Sequence, residues 1–242
     1  MAEYRQLARP PLREAVIDLR LAVELPVAIA KEMAERQPPG FQLSGQARRG
    51  HVSFQIGKPV VPAKADELYG WRYTSTDGSR IVQFRTDGVT YSTLRGYTTW
   101  VNAKEEAQAL WRQYCERWGP GEVARLAVRY INLLEVPPGA DFDLYLTAGP
   151  RVPPGAPEAL SSFLHRVTIP FSADATTSAV VTQALERKPD ASAAIVLDID
   201  VSRVCRHKVD SPEIWGILDD LRDIKNRLFF GSVTEQALEP YK

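Results

Sequence analysis

Between Leu68 and Leu94 lie three short strand-like runs, Leu68 to Ser75, Arg80 to Thr86 and Val89 to Leu94, joined through Asp77-Gly78 and Asp87-Gly88. Asp-Gly favours the tight turn whose backbone twist matches that of antiparallel strands. The spacing therefore predicts a meander. A doubly wound parallel sheet would need a helix between most strands, and these intervals leave no room for one.

The meander feeds a helix with clear boundaries. Asn102 followed by Glu105 resembles a capping box with Asn in place of Ser or Thr, which predicts a start near Ala103. Ala107, Trp111, Tyr114 with Cys115, and Trp118 then fall on one face, while Lys104, Glu105, Gln108, Arg112 and Glu116 take the other. Gly119 can take the left-handed conformation that ends a helix, and Pro120 cannot continue it. Beyond Gly121, Leu126, Val128, Tyr130, Asn132 and Leu134 share one face of a long strand whose other face is also substantially apolar. Such a strand belongs in the interior of a sheet.

Elsewhere the same two periods alternate. Ala15, Ile17, Leu19, Leu21 and Val23 predict a half-buried strand, and Pro26 opens a short helix that Pro38-Pro39-Gly40 ends. A polar loop follows, then a strand at Val52, Phe54 and Ile56, and a Pro-containing connection from Lys58 to Ala65. Residues 137–157 are rich in Pro and Gly and read as an exposed excursion. Phe163, His165, Val167, Ile169 and Phe171 alternate as a half-buried strand, followed by strands near Ser178 to Leu185 and Ala193 to Val204. Ser211-Pro212 opens a second long helix with Ile214, Leu218, Leu221, Ile224 and Leu228 as its apolar stripe, and a short last turn starts at Thr234. The expected fold is α+β, a curved and mainly antiparallel sheet of two strand-rich halves, each leading into a long amphipathic helix. The division by chain order is residues 1–136, an excursion over 137–160, and residues 161–242 packed on the first half as one compact body.

Composition narrows the function classes. At 242 residues and 44 % hydrophobic, the chain can bury a sizeable core, and its formal net charge of +0 supplies no overall field for nucleic acid or an anionic membrane. Cys115 and Cys205 are far apart, which argues against a disulfide framework and fits a reducing cytoplasm. No leader-like start and no long apolar run occurs, so neither export nor membrane spanning is expected.

Glu14-Ala15 after Pro10-Pro11-Leu12, Tyr97-x-x-Trp100 before the central helix, Arg129-Tyr130-Ile131-Asn132 after it, and Phe229-Phe230 with Val233-Thr234 form a pattern spanning nearly the whole chain. It resembles a sporadically distributed family of uncharacterised bacterial proteins of about this length. The resemblance implies a bacterial cytosolic protein and carries no activity, cofactor or catalytic residue with it. Arg9-Pro10-Pro11-Leu12-Arg13 departs from that family's pattern, which has an Asn-Ala-Pro-type segment there.

No reaction centre is recognisable: there is no Gly-rich phosphate loop, nucleophile elbow, H-E-x-x-H or C-x-x-C. Arg129 and Asn132 in an interior strand need partners, and with His165 among apolar neighbours they are the candidate ligand-binding set. Asp198 and Asp200 share a strand face at a spacing that could hold Mg²⁺, although a solvated face is the plainer reading. Asp141 and Asp143 are a weaker pair, and Cys205-x-His207 supplies too few ligands for zinc, with His51 and His165 not tied to it. Neither metal nor cofactor is expected. Trp71, Arg72, Tyr73, Arg85, Arg95 and Tyr97 interleave rings and cations as a single-stranded nucleic-acid platform does, and Arg203, Arg206, His207 and Lys208 add a basic cluster. The leading expectation is a non-enzymatic cytoplasmic protein that recognises a protein partner through a sheet edge or groove. An enzyme or small-ligand binder with a pocket between sheet and central helix is the second reading, and nucleic-acid binding the third.

Overall fold

The computed structural model describes residues 7–49, 67–97, 99–137, 139–155, 160–171, 175–187 and 192–242. The strand expected at Val52, Phe54 and Ile56, the connection from Lys58 to Ala65, and His51 lie outside the described residues. In chain order the elements are β1 (Leu12–Leu21), α1 (Val27–Met33), β2 (Phe41–Arg49), β3 (Glu67–Ser75), β4 (Arg80–Arg85), β5 (Gly88–Thr93), α2 (Trp100–Trp118), β6 (Glu122–Val136), β7 (Leu164–Pro170), β8 (Thr177–Arg187), β9 (Ala193–Lys208), α3 (Glu213–Ser232) and α4 (Glu235–Leu238). The strands form an antiparallel sheet in the order β2-β3-β4-β5-β1-β6-β9-β8-β7, so the fold is α+β. By internal contacts the chain divides into two units that interleave along the sequence. A meander unit holds Ile17–Arg125 with Arg206–Ser211, and a long-strand unit holds Met1–Val16, Leu126–Cys205 and Pro212–Lys242. The reading by chain order instead divides after residues 136 and 160.

In the meander unit the Asp-Gly turns do what their chemistry predicts: β3 pairs with β4, and β4 with β5, each antiparallel and without a bulge. Gly88 is irreplaceable on two counts. Its φ is +138°, and a Cβ there would lie 2.0 Å from the Leu19 carbonyl oxygen. The segment read as a polar loop is strand β2, paired with β3 through two register shifts. It lacks clean alternation because most of its side chains are in water at the end of the sheet.

Tyr73, Val82, Phe84 and Tyr91 point to one face, where α1 and α2 lie. Phe84 sits 5.7 Å from the rings of Tyr73 and Tyr114 and 5.6 Å from Trp118, and Trp111 stacks on Tyr114 at 5.5 Å. Each such pair is worth about 0.5–1.5 kcal/mol beyond burial alone. Four polar tips on this face or beside it find backbone carbonyls. Trp71 Nε1 donates to the Ala30 carbonyl, Tyr73 Oη to that of Met33, Tyr114 Oη to that of Arg85 and Trp111 Nε1 to that of Val209. The start of α2 corrects the sequence reading. Thr99, not Asn102, is the cap: its Oγ1 accepts the Asn102 amide at 3.2 Å, and Trp100 already lies in the helix. Gly119 ends it in the left-handed conformation as expected.

In the long-strand unit, β7, β8 and β9 pair antiparallel in unbroken register. Ala179, Val181 and Gln183 on β8 and Ile195, Leu197, Ile199 and Val201 on β9 form a buried face. Leu126, Val128, Tyr130, Asn132 and Leu134 on β6 are buried as well, and Lys225 of α3 lies over the Tyr130 ring. α3 starts at Glu213 with Pro212 at its cap position and no side-chain cap bond, one residue later than Ser211-Pro212 suggests. Leu146 in the excursion is buried and bridges to Val233. Among the described residues no helix is long and apolar enough to cross a membrane.

Candidate functional site

The candidate ligand set does not gather around shared partners. The Arg129 side chain is 45 % exposed and makes a two-pronged pair with Asp198, Nε to Oδ1 at 2.8 Å and Nη2 to Oδ2 at 2.6 Å. Asn132 is buried on the opposite face of β6, donating to the carbonyls of Leu197 at 3.1 Å and Tyr130 at 3.4 Å. His165 corrects an expectation: it is exposed on β7, its Nδ1 3.4 Å from Gln183 Oε1, because β7 ends the sheet and its neighbours shield it little. Asp198 is committed to Arg129, so Asp198 and Asp200 are not a free carboxylate pair. Asp141 Oδ1 caps the short turn at Phe142–Leu144, and Asp143 pairs with Arg151 at 2.6 Å. No group of three or more His, Cys, Asp or Glu among the described residues could hold a metal ion.

The six residues of the nucleic-acid set divide between faces and between surface and interior. Tyr73 and Arg85 are buried, which removes them from any base-stacking platform, and the Trp71 indole is tied to α1. Arg72 and Arg95 remain exposed and Tyr97 half-buried. Arg85 instead belongs to a charge cluster that nothing in the local pattern announces. Asp18, on the face of β1 expected to be wet, accepts from Arg85 Nη2 at 3.0 Å, Thr90 Oγ1 at 2.6 Å, Arg125 Nη1 at 3.1 Å and Arg20 Nε at 3.1 Å. Arg85 Nε also donates to Asp87 at 2.7 Å. Burial works to raise the Asp18 pKa, but the Arg85 guanidinium and the Thr90 hydroxyl more than offset it, so the carboxylate titrates below its ordinary range. These groups satisfy one another and leave little for a ligand.

A cleft of about 560 Å³ opens in the meander unit between β4, β5 and the first turns of α2. Its floor is Arg80, Glu106, Tyr91 and Thr93. Arg80 Nη1 donates to Glu106 Oε1 at 2.7 Å, Tyr91 Oη to Glu106 Oε2 at 2.8 Å, and Thr93 Oγ1 to Tyr91 Oη at 3.3 Å. Burial and the Glu106 carboxylate hold the Tyr91 phenol protonated well above its ordinary range. Arg95, Tyr97, Thr99 and Asn102 form the walls. A larger cavity of about 770 Å³ in the long-strand unit is lined in part by Phe142, Arg151 and Leu185.

No family model, curated protein or solved structure matches this chain. Function therefore has to be read from the chain's own geometry.

Two further features stand out in the long-strand unit. Lys225 lies at an apolar-stripe position of α3, 6 % exposed, with Nζ 3.5 Å from the Tyr130 ring centroid and 2.6 Å from Asn226 Oδ1. Burial, with Arg222 nearby, pushes its pKa well below the ordinary lysine value. The signal was present in the sequence, since Leu218, Leu221, Lys225 and Leu228 keep helical spacing. The second is β7 itself. Phe171 N donates to Thr177 O and Leu185 N to Phe163 O, so odd-numbered residues of β7 turn their backbone toward β8. The amides of Leu164, Arg166 and Thr168 consequently point away from the sheet. Pro170, which has no amide to offer, occupies the next outward position.

Proposed function

We propose that this chain is a non-enzymatic binding protein of the bacterial cytoplasm, built as a curved sheet of two strand-rich halves that each lead into a long amphipathic helix. Its partner is another protein, which adds an extended segment to the side of β7 that faces away from β8. The observation that carries this reading is the outward row of Leu164, Arg166 and Thr168 amides on the last strand of the sheet. Around it Leu164 is 74 % exposed, and Val167 and Phe171 are also exposed. Strand addition of this kind takes its affinity from main-chain hydrogen bonds and its selectivity from alternate side chains. A partner segment with apolar residues set opposite Val167 and Ile169 would cover what β8 leaves bare. Membership in the resembled bacterial family is part of the same proposal.

The test is purification of the full chain from its native host beside Thr168→Pro, which deletes one outward amide without touching a bond to β8. A protein that co-elutes with the wild type should be lost from the variant while far-ultraviolet circular dichroism and melting stay the same. Equal recovery with both chains would refute recognition by this edge.

A further inference from the structure

We infer that the cleft between β4, β5 and α2 binds a small organic anion, a carboxylate or phosphate ester, with Arg95 pairing its charge and the Arg80–Glu106–Tyr91 floor orienting its polar body. A β7 variant leaves this cleft intact, so the two sites hold or fail separately.

The sign of the ligand follows from which lining charges are already spent. Glu106 accepts from both Arg80 and Tyr91. Asp77 accepts from the Ser75 hydroxyl at 2.5 Å and from the Ser79 hydroxyl at 2.7 Å and amide at 3.1 Å, and is locked into its turn. Neither carboxylate is left to receive a cation. On the other side of the balance, no hydrogen bond or ion pair reaches the Arg95 guanidinium among the described residues. The wall contributed by α2 carries no acidic residue in its first turn, and the Thr99 hydroxyl, which accepts the Asn102 amide, keeps its own proton available.

The size of the ligand follows from the space. About 560 Å³ falls within the range of small-molecule sites and is far more than a bare ion fills. The floor is fixed before a ligand arrives. Tyr91 and Thr93 are buried, and Arg80 is held by Glu106 on one side and lies over the Phe41 ring at 5.7 Å on another. Binding therefore has little ordering to drive in the floor, and the ordering it must supply falls on Arg95. Tyr97 on the wall offers an aromatic edge to a ligand body.

The experiment is an amide NMR titration of the full chain with benzoate, phenyl phosphate, inorganic phosphate and uncharged benzyl alcohol. Benzoate or phenyl phosphate should saturate at millimolar concentration or below, shifting the amides of Gly96, Tyr97 and Ala103, and whichever binds tighter names the anion. Arg95→Ala should weaken that binding about tenfold or more, as loss of a charge-assisted hydrogen bond does. It should not unfold the chain, since Arg95 is exposed and holds nothing in place. Arg112→Ala, which removes the same charge from an exposed position on α2, should leave the affinity within about twofold. The site is disproved if neither organic anion saturates, if benzyl alcohol binds as well as they do, or if Arg112→Ala weakens binding as much as Arg95→Ala.

Discussion

Asp18 and Arg85 meet at 3.0 Å inside the meander unit although 67 positions separate them in the chain. Neither has much contact with water, and each satisfies the other's burial. Asp18→Ala leaves Arg85 with Asp87 as its remaining carboxylate and takes the shared acceptor from Thr90, Arg125 and Arg20, so it should cost about 1.5–3 kcal/mol in urea unfolding. Replacing both by apolar residues of similar volume should cost less than the single change. A double-mutant cycle on the two sites measures the difference.

The same carboxylate sets part of the acid limb. Its folded pKa lies below the unfolded value, so the folded state holds fewer protons between the two. The stabilisation is complete above the unfolded carboxylate pKa, about 3.9, and disappears as pH falls through the lower folded value. Asp18→Asn should therefore flatten stability against pH below about pH 4 and leave the neutral-to-alkaline shape unchanged.

Lys225 tilts stability with pH in the same sense but in a higher pH range, as a buried cation that destabilises the fold rather than a carboxylate that supports it. Burial lowers its folded pKa below the unfolded value, so between the two the unfolded chain binds the extra proton and stability rises with pH. Lys225→Met keeps the shape and drops the charge, and should raise stability by about 1–3 kcal/mol at pH 7. The melting temperature of the variant should also lose the upward slope on the alkaline side.

At the start of α2, Thr99→Ala removes the oxygen that receives the Asn102 amide and should cost about 1 kcal/mol. Asn102→Ala, which leaves the Thr99 oxygen and the backbone amide that meets it in place, should cost clearly less in the same denaturant titration. The reverse order would restore the capping box inferred from sequence.

How much could be read in advance depended on whether the deciding contacts were local. Asp77-Gly78 and Asp87-Gly88 carry their turn geometry within the dipeptide, and the Trp111, Tyr114 and Trp118 stripe needs only helical spacing. By contrast, β2 has too few apolar residues to alternate, and β7 alternates well yet is exposed, because burial depends on what lies beyond the strand. The Asp18 cluster assembles from distant strands, and its arginines look like solvated background until those strands pair. The lining of the cleft was invisible for the same reason: Arg80 and Glu106 sit on different elements, and neither breaks its own element's pattern.

Trp111 Nε1 reaches the Val209 carbonyl at 2.9 Å, and Arg206–Ser211 is counted with the meander unit. A ribosome must therefore release the chain past Ser211, well beyond Arg125, before that unit can be finished. Cutting out Ile17–Arg125 as a fragment would strand a buried indole donor and lose the segment that answers it. Proteolytic dissection or domain transplantation of this protein would have to carry two stretches of chain, not one.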